Sequence, residues 1–254
     1  MDLGLTDRVA FVTGGSGGIG AAVCQRLAAE GARVAIGFQS SREHALRLVE
    51  EIAAAGGTAM AVEHDLADGT SPSRSVETIT GAWSRLDVLV TCAWKSAGWP
   101  SPDREDTDLA GAESWREQLG LNVEGTAAVV QAVVGPMKQS GWGRIVMISS
   151  GAAEEGQPGL ESYAAAKAAL HAFNRSLARG LGRAGILSNV VMPGFVKTER
   201  NARFIPQVAF DQWASTTPTG RLPTCEEVAT VVGFLASGAN GSTTGTAIRV
   251  TGGA

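Results

Sequence analysis

The chain has 254 residues, enough to bury a sizeable core in one α/β unit. With 44% hydrophobic and 18% charged residues it is globular rather than disordered, and a net charge of −4 with no basic block speaks against a nucleic-acid surface. No apolar run is long enough to span a bilayer, MDLGLTDRVAFVTGG at the start lacks the pattern of a signal segment, and Cys24, Cys92 and Cys225 are too dispersed for a metal site or a disulfide framework. The expectation is a cytoplasmic protein with no membrane, nucleic-acid or metal partner.

In chain order, RVAFVT (8–13) reads as a buried strand followed by a helix over 18–30. ARVAIGF (32–38) is a second strand with a helix over 41–55, and TAMAVE (58–63) a third with a helix over 72–84. LDVLVT (86–91) is the fourth strand; a polar segment with Pro100 and Pro102 then leads to helices over about 111–139. RIVMISS (144–150), GILSNVVM (185–192) and AIRVTGG (247–253) complete the strands. Short strands that are apolar throughout, alternating with helices, predict a parallel sheet covered on both faces: a doubly wound Rossmann-type α/β fold, one domain over 1–254. The long excursion at 193–223 carries a short amphipathic piece near 203–215 and is read as a substrate lid at about 194–223.

VTGGSGGIG (12–20) lies between the first strand and the first helix. Glycines there allow a tight turn and close approach of backbone N–H groups to a pyrophosphate at a helix N-terminus. The spacing of Gly14, Gly18 and Gly20 is TGxxxGxG rather than GxGxxG. A second signal is ESYAAAKAALHAF (161–173), which holds the only tyrosine of the chain. Tyr163 and Lys167 are four apart and share a helix face. An ammonium beside a phenol favours the phenolate, so the pair is expected to bring the tyrosine within reach of acid–base work.

TGxxxGIG together with YxxxK resembles the short-chain dehydrogenase/reductase family, in its compact single-domain, ketoreductase-like branch, over essentially the whole chain. HDLAD (64–68), LNVEG (121–125), Ser150 thirteen residues before Tyr163, MPGFVKT (192–198) and the closing TGTAIRVTGG extend the likeness. The resemblance implies a catalytic set of Asn122, Ser150, Tyr163 and Lys167. In it Ser150 holds the substrate oxygen, Tyr163 exchanges the proton, Lys167 also holds the coenzyme ribose and Asn122 positions a water. It further implies coenzyme contacts from Gly14, Ser16, Gly17, Gly18, Ile19, Gly20, Asp65, Leu66, Ala93, Pro193, Gly194, Val196 and Thr198.

The end of the second strand bears on which nicotinamide coenzyme is used. The position where a carboxylate would hold a free ribose 2′-OH is Phe38, followed by Gln39, Ser40, Ser41 and Arg42. Two hydroxyls and a guanidinium suit a 2′-phosphate, which favours NADPH over NAD. The same SSRE stretch also reads as a helix cap, and the glycine turn carries no basic residue at Gly17.

The fourth strand ends in TCAW where the family usually has Asn-Asn-Ala-Gly. Trp94 thus stands at a glycine position, and three readings stay open: it walls the substrate pocket, it crowds the coenzyme, or it is a tolerated loop variant. Cys92 is read as a buried filler, and His44, His64 and His171 as surface or helix-packing residues. The substrate side is assigned to Trp94, Trp99, Phe195, Phe204 and Trp213, with Phe210 nearby, which suits a bulky or ring-containing carbonyl compound. The alternative is that the lid aromatics pack on one another. Lys138 and Arg183 leave a carrier-protein partner open without strong support. The family resemblance implies a homotetramer or homodimer built through about 111–139 and 162–180. The overall expectation is NADPH-dependent reduction of a ketone; NAD-dependent oxidation of an alcohol and a non-catalytic dinucleotide sensor are the alternatives.

Overall fold

In the computed structural model, which describes residues 2–95, 111–156 and 158–254, strands and helices alternate along almost the whole chain. The order is β1 (Val9–Thr13), α1 (Gly18–Ala29), β2 (Arg33–Phe38), α2 (Arg42–Ala54), β3 (Thr58–Glu63), α3 (Ser71–Trp83) and β4 (Val88–Thr91). There follow α4 (Ala112–Glu117), a π-helical stretch (Gln118–Glu124), α5 (Gly125–Ser140), β5 (Gly143–Ile148), α6 (Ala152–Glu155), α7 (Glu161–Leu181) and β6 (Ile186–Pro193). The chain then runs through α8 (Gln207–Thr216), α9 (Cys225–Leu235) and β7 (Ala247–Val250). All strands pair in parallel in the order β3-β2-β1-β4-β5-β6-β7. The doubly wound reading therefore holds.

Successive strand residues face opposite sides, and each side has its own core. Val88, Val90, Val146 and Ile148 pack with α1 and α9 through Val23, Leu27, Val228 and Val232. Leu89, Ile145 and Met147 pack on the other side with Ile79, Val129, Val133 and Leu170 of α3, α5 and α7. The strand order reverses between β1 and β4, so the crevice above their carboxyl ends, at Thr13 and Thr91, is where such a sheet takes its ligand.

The opposite end of the same strands is tied by charge. Asp87 has no exposed side-chain surface and accepts from Arg8 Nη1 (3.0 Å), the Val9 amide (2.9 Å), and Arg85 Nε and Nη2 (2.7 and 2.6 Å). The guanidinium carbons of Arg8 and Arg144 lie 3.9 and 4.2 Å from the Trp142 ring centroid. Arg144 is buried and donates to the carbonyls of Ser237 (3.1 Å) and Asn240 (2.9 Å), fastening β5 to the turn after α9. Burial, with the charge of Arg8, lowers the Arg144 guanidinium to about 10.

Two differences from the sequence reading concern helices. The run at 111–139 is broken by the π-helical stretch, and the amphipathic piece near 203–215 is α8, beginning at Gln207. The last strand ends at Val250 rather than 253. Gly252 and Gly253 take left-handed φ values of 73° and 97°, which glycine adopts without strain. A Cβ on Gly252 would lie 2.5 Å from Thr219 Oγ1, so this turn is tucked beneath the excursion between β6 and α9.

Candidate active site

A cavity of about 670 Å³ lies above the switch point. Its walls come from the turn after β1 (Gly14, Ser16, Gly17, Gly18), the end of β2 (Phe38, Gln39, Ser40, Ser41) and the turn after β3 (Asp65, Leu66, Ala67). Cys92, Ala93, Trp94 and Lys95 after β4, and Thr198 to Arg200, Arg203 and Phe204 after β6, close it. The local sequence explains the first wall. Gly14 and Gly18 have φ of 62° and 54°, and a Cβ on Gly14 would sit 2.7 Å from the Ala93 nitrogen. A Cβ on Gly20 would lie 2.2 Å from the Gly14 carbonyl oxygen, so α1 can only pack this close with glycine there. Gly17 caps α1 without any side-chain hydrogen bond, and nothing lies within 4 Å of where its Cβ would be. The first N–H groups of α1 thus face open space, the arrangement that receives a pyrophosphate.

The residues present fit the adenosine and pyrophosphate parts of a dinucleotide. Ser41 occupies the cap position of α2 without bonding to the helix, so the capping alternative for this hydroxyl does not hold. Asp65 is fixed by accepting the Ala67 amide at 2.9 Å, and Leu66 packs against Gly125 at the start of α5. Arg42, by contrast, is exposed in the first turn of α2 and is not among the residues lining the cavity. Cations do reach the same region from elsewhere: Arg200 and Arg203 line it, as do His44 and Glu199, and Arg203 is paired to Glu199. None of these is marked by a sequence motif.

Several expected coenzyme residues have a packing role. Ile19 is partly buried against the core and Val196 is buried. Pro193 ends β6, and a Cβ on Gly194 would approach Thr251 to 3.0 Å, so its smallness serves the crossing chain. Thr198 lines the cavity and is pinned by Asn201, whose Oδ1 accepts the Thr198 amide at 2.8 Å.

The catalytic candidates converge beyond the Trp94 end of the cavity. Ser150 Oγ accepts the Ala152 amide at 3.3 Å, and its interaction with the Tyr163 side chain acts to lower the phenol. Lys167 is buried and donates from Nζ to the Ile148 carbonyl at 2.8 Å. The Trp94 indole packs on both: its centroid is 3.5 Å from Lys167 Nζ, and it meets the Tyr163 ring edge-on at 5.3 Å. The lysine nitrogen is 6.0 Å from the phenol centroid.

This geometry corrects the expected electrostatics of the pair. Burial pushes the Tyr163 phenol above its ordinary value, the interaction with Ser150 opposing the rise, and Lys167 does not lower it. Burial also lowers the Lys167 ammonium to about 7, against an opposing effect from Cys92. The Cys92 thiol is itself pushed up to about 12 by burial, which fits a filler and not a nucleophile.

Asn122 is fully buried in the π-helical stretch. Its Oδ1 accepts the Lys95 amide at 2.8 Å, and its Nδ2 donates to the Lys95 carbonyl (3.0 Å) and to Gln118 Oε1 (2.9 Å). Its side chain therefore anchors the backbone just after Trp94. Thr91, where the family usually has asparagine, has a buried Oγ1 without a partner among the described residues.

Of the substrate candidates, Phe204 is 78% exposed and lines the cavity rim. Phe195 and Trp213 do not line this cavity; they pack on each other at 4.1 Å, with Phe210 completing the cluster. Trp99 lies outside the described residues. Of the histidines, His64 is buried against Phe11, contacts Ser75 at 3.2 Å and is lowered to about 4 by burial. His171 is buried with Nε2 2.8 Å from Ser149 Oγ. Both serve packing, although His64 also borders the cavity.

Sheet topology, glycine turn and cavity together define a dinucleotide-binding fold of the Rossmann type. A family model described as enoyl-(acyl carrier protein) reductase matches residues 14–254. The chain is 34% identical to an acetoacetyl-CoA reductase of Cupriavidus necator over 98% of both chains. It is also 34% identical to a cyclohexanol dehydrogenase of a Rhodococcus, over 99% of this chain and 97% of that one. Among solved structures, a short-chain dehydrogenase/reductase from Mycobacterium ulcerans superposes with a TM-score of 0.89 at 31% identity, over 99% of this chain and 90% of the other. The protein belongs to the short-chain dehydrogenase/reductase family, whose members bind a nicotinamide dinucleotide.

Proposed function

We propose that the protein reduces a ketone to a secondary alcohol with NADPH. The observation that carries this reading is the meeting of Tyr163 and Lys167 at Trp94, a wall residue of the cavity, with burial holding the phenol above its ordinary value. A tyrosine in that state is an acid, which suits proton delivery to a carbonyl oxygen. Ser150 orients the same oxygen, and Lys167 holds a ribose hydroxyl. Asn122 fixes the backbone that carries Trp94. The coenzyme, when bound, supplies the hydride. Ser40, Ser41, Arg200 and Arg203 support a 2′-phosphate, and Phe38 stands where a strand-end carboxylate would repel one.

The likeness to an acetoacetyl-CoA reductase favours a 3-oxoacyl thioester as substrate, and that to a cyclohexanol dehydrogenase keeps a cyclic ketone in view. Exposed Trp115 and Leu119, on α4 and the π-helical stretch, mark the face we assign to a homo-oligomer. Among the described residues, no helix is long and apolar enough to cross a membrane.

The test is a titration with NADPH and NADH followed by nicotinamide fluorescence, then oxidation of the bound coenzyme by acetoacetyl-CoA and by cyclohexanone. NADPH is expected to bind at least about tenfold more tightly, which is the effect of one charge-assisted contact. A preference for NADH would overturn the coenzyme assignment. Binding of neither would overturn the enzyme reading.

A further inference from the structure

We infer that Trp94 is a positioning residue: its indole covers the coenzyme-facing side of Lys167 and is displaced when a dinucleotide enters. The inference rests on the reading of the cavity as a coenzyme site and adds a step to it. Trp94 lines the cavity whereas Tyr163 and Lys167 are not among its lining residues, so the indole stands between the open space and the catalytic pair. Its face lies 3.5 Å from the lysine nitrogen. An ammonium has three donors, and Lys167 makes one hydrogen bond among the described residues, to Ile148. The π-face takes the side that a ribose hydroxyl would need.

The contact is held from both flanks. The Ala93 amide donates to Thr13 Oγ1 at 3.2 Å, and the Lys95 backbone is clasped by Asn122 at 2.8 and 3.0 Å. With the backbone fixed at 93 and 95, the indole leaves by side-chain rotation and not by loop movement. Its Nε1 is buried without a partner among the described residues, an unfavourable state that a rotation towards water or ligand relieves. The chain thus has two positions for one ring, and a dinucleotide selects the rotated one. Its apparent affinity falls in proportion to how little that position is populated beforehand.

The first readout needs no coenzyme. Reductive methylation of Lys167 by formaldehyde and dimethylamine-borane, followed by peptide mass spectrometry, reports whether the amine is covered. Trp94→Gly is expected to raise the rate about tenfold or more, and Trp94→Phe, which restores a ring face, to return it close to wild type. The second readout is binding: Trp94→Gly should tighten NADPH by about tenfold. The third is spectroscopic, since NADP+ should shift the tryptophan emission of the wild type but not of Trp94→Phe.

Unchanged methylation in Trp94→Gly overturns the covering contact, and so does a rise that Trp94→Phe shares, which would assign the exposure to a folding defect. Faster methylation without tighter NADPH overturns the displacement. Failure of every form, including Trp94→Gly, to bind either dinucleotide sinks the coenzyme reading instead, and with it the displacement.

Discussion

Tyr163→Phe is expected to lower kcat for ketone reduction by about 10³-fold, the middle of the range for loss of a positioned general acid. The substitution removes only the hydroxyl. The ring that meets Trp94 edge-on at 5.3 Å remains, so α7 keeps its packing and NADPH affinity should stay within about twofold. The pH dependence sharpens the test. Burial holds the phenol above its ordinary value, so the acid form persists through the neutral range. Reduction should therefore be insensitive to this group at neutral pH and fall only as pH rises past the ordinary phenol range of about 10. A Tyr163→Phe protein that turns over at the wild-type rate would remove the acid from the mechanism. Lost coenzyme binding in that protein would point to a structural role.

Asp87→Asn is expected to destabilise the fold by about 2–3 kcal/mol. Loss of one partner of a buried ion pair costs about 3–5 kcal/mol, reduced here because Arg8 and Arg85 can turn partly to water. For a chain of this size that lowers the melting temperature by about 5–10 °C. Burial alone would raise the Asp87 carboxyl, but the bonds from Arg85, the Val9 amide and Arg8 outweigh it and hold the carboxyl below its ordinary value. A depressed carboxyl stabilises the fold above the unfolded-state value of about 3.9, and that contribution is lost as pH falls through the folded-state value. The gap between wild type and Asp87→Asn in thermal melts should thus be full at neutral pH and close in strong acid. A gap that persists in acid would assign the loss to packing and not to charge.

Much of the site was legible because its signals are local. Strands buried on both faces read as continuous apolar runs, glycines at 14 and 20 are demanded by contacts with neighbouring backbone, and glycine at 18 by its left-handed φ of 54°. The i,i+4 spacing of Tyr163 and Lys167 is a property of one helix. The departure at TCAW was also visible, but not its outcome. Whether Trp94 turns inward depends on Thr13, Asn122 and α7, which come together only in the folded chain. The direction of the Tyr163 shift is illegible for the same reason: spacing places Tyr163 and Lys167 on one face but says nothing of how deeply both are buried or of the indole they pack on. Arg200, Arg203 and His44 reach the cavity from elements far apart in sequence, with no motif to mark them. The Asp87 network likewise joins residues about eighty positions apart.

The π-helical stretch bears on how this chain tolerates changes in length. A π-turn holds one residue more than an α-turn, so Gln118–Glu124 amounts to a single-residue insertion in an otherwise ordinary helix. Each residue of an α-helix advances the phase by about 100°. Deleting Gly120, which has nothing within 4 Å of its Cβ position, would let the helix regain α-geometry at little steric expense. It would also leave Gln118 three residues before Asn122 instead of four, while the segments on either side keep their phase. Both side chains donate to the Lys95 carbonyl and Asn122 donates to Gln118, so the change of spacing falls on this shared grip. The extra residue thus works as a spacer: what a shorter, more regular helix would disturb is the local hold on the chain after β4, and not the packing of α5.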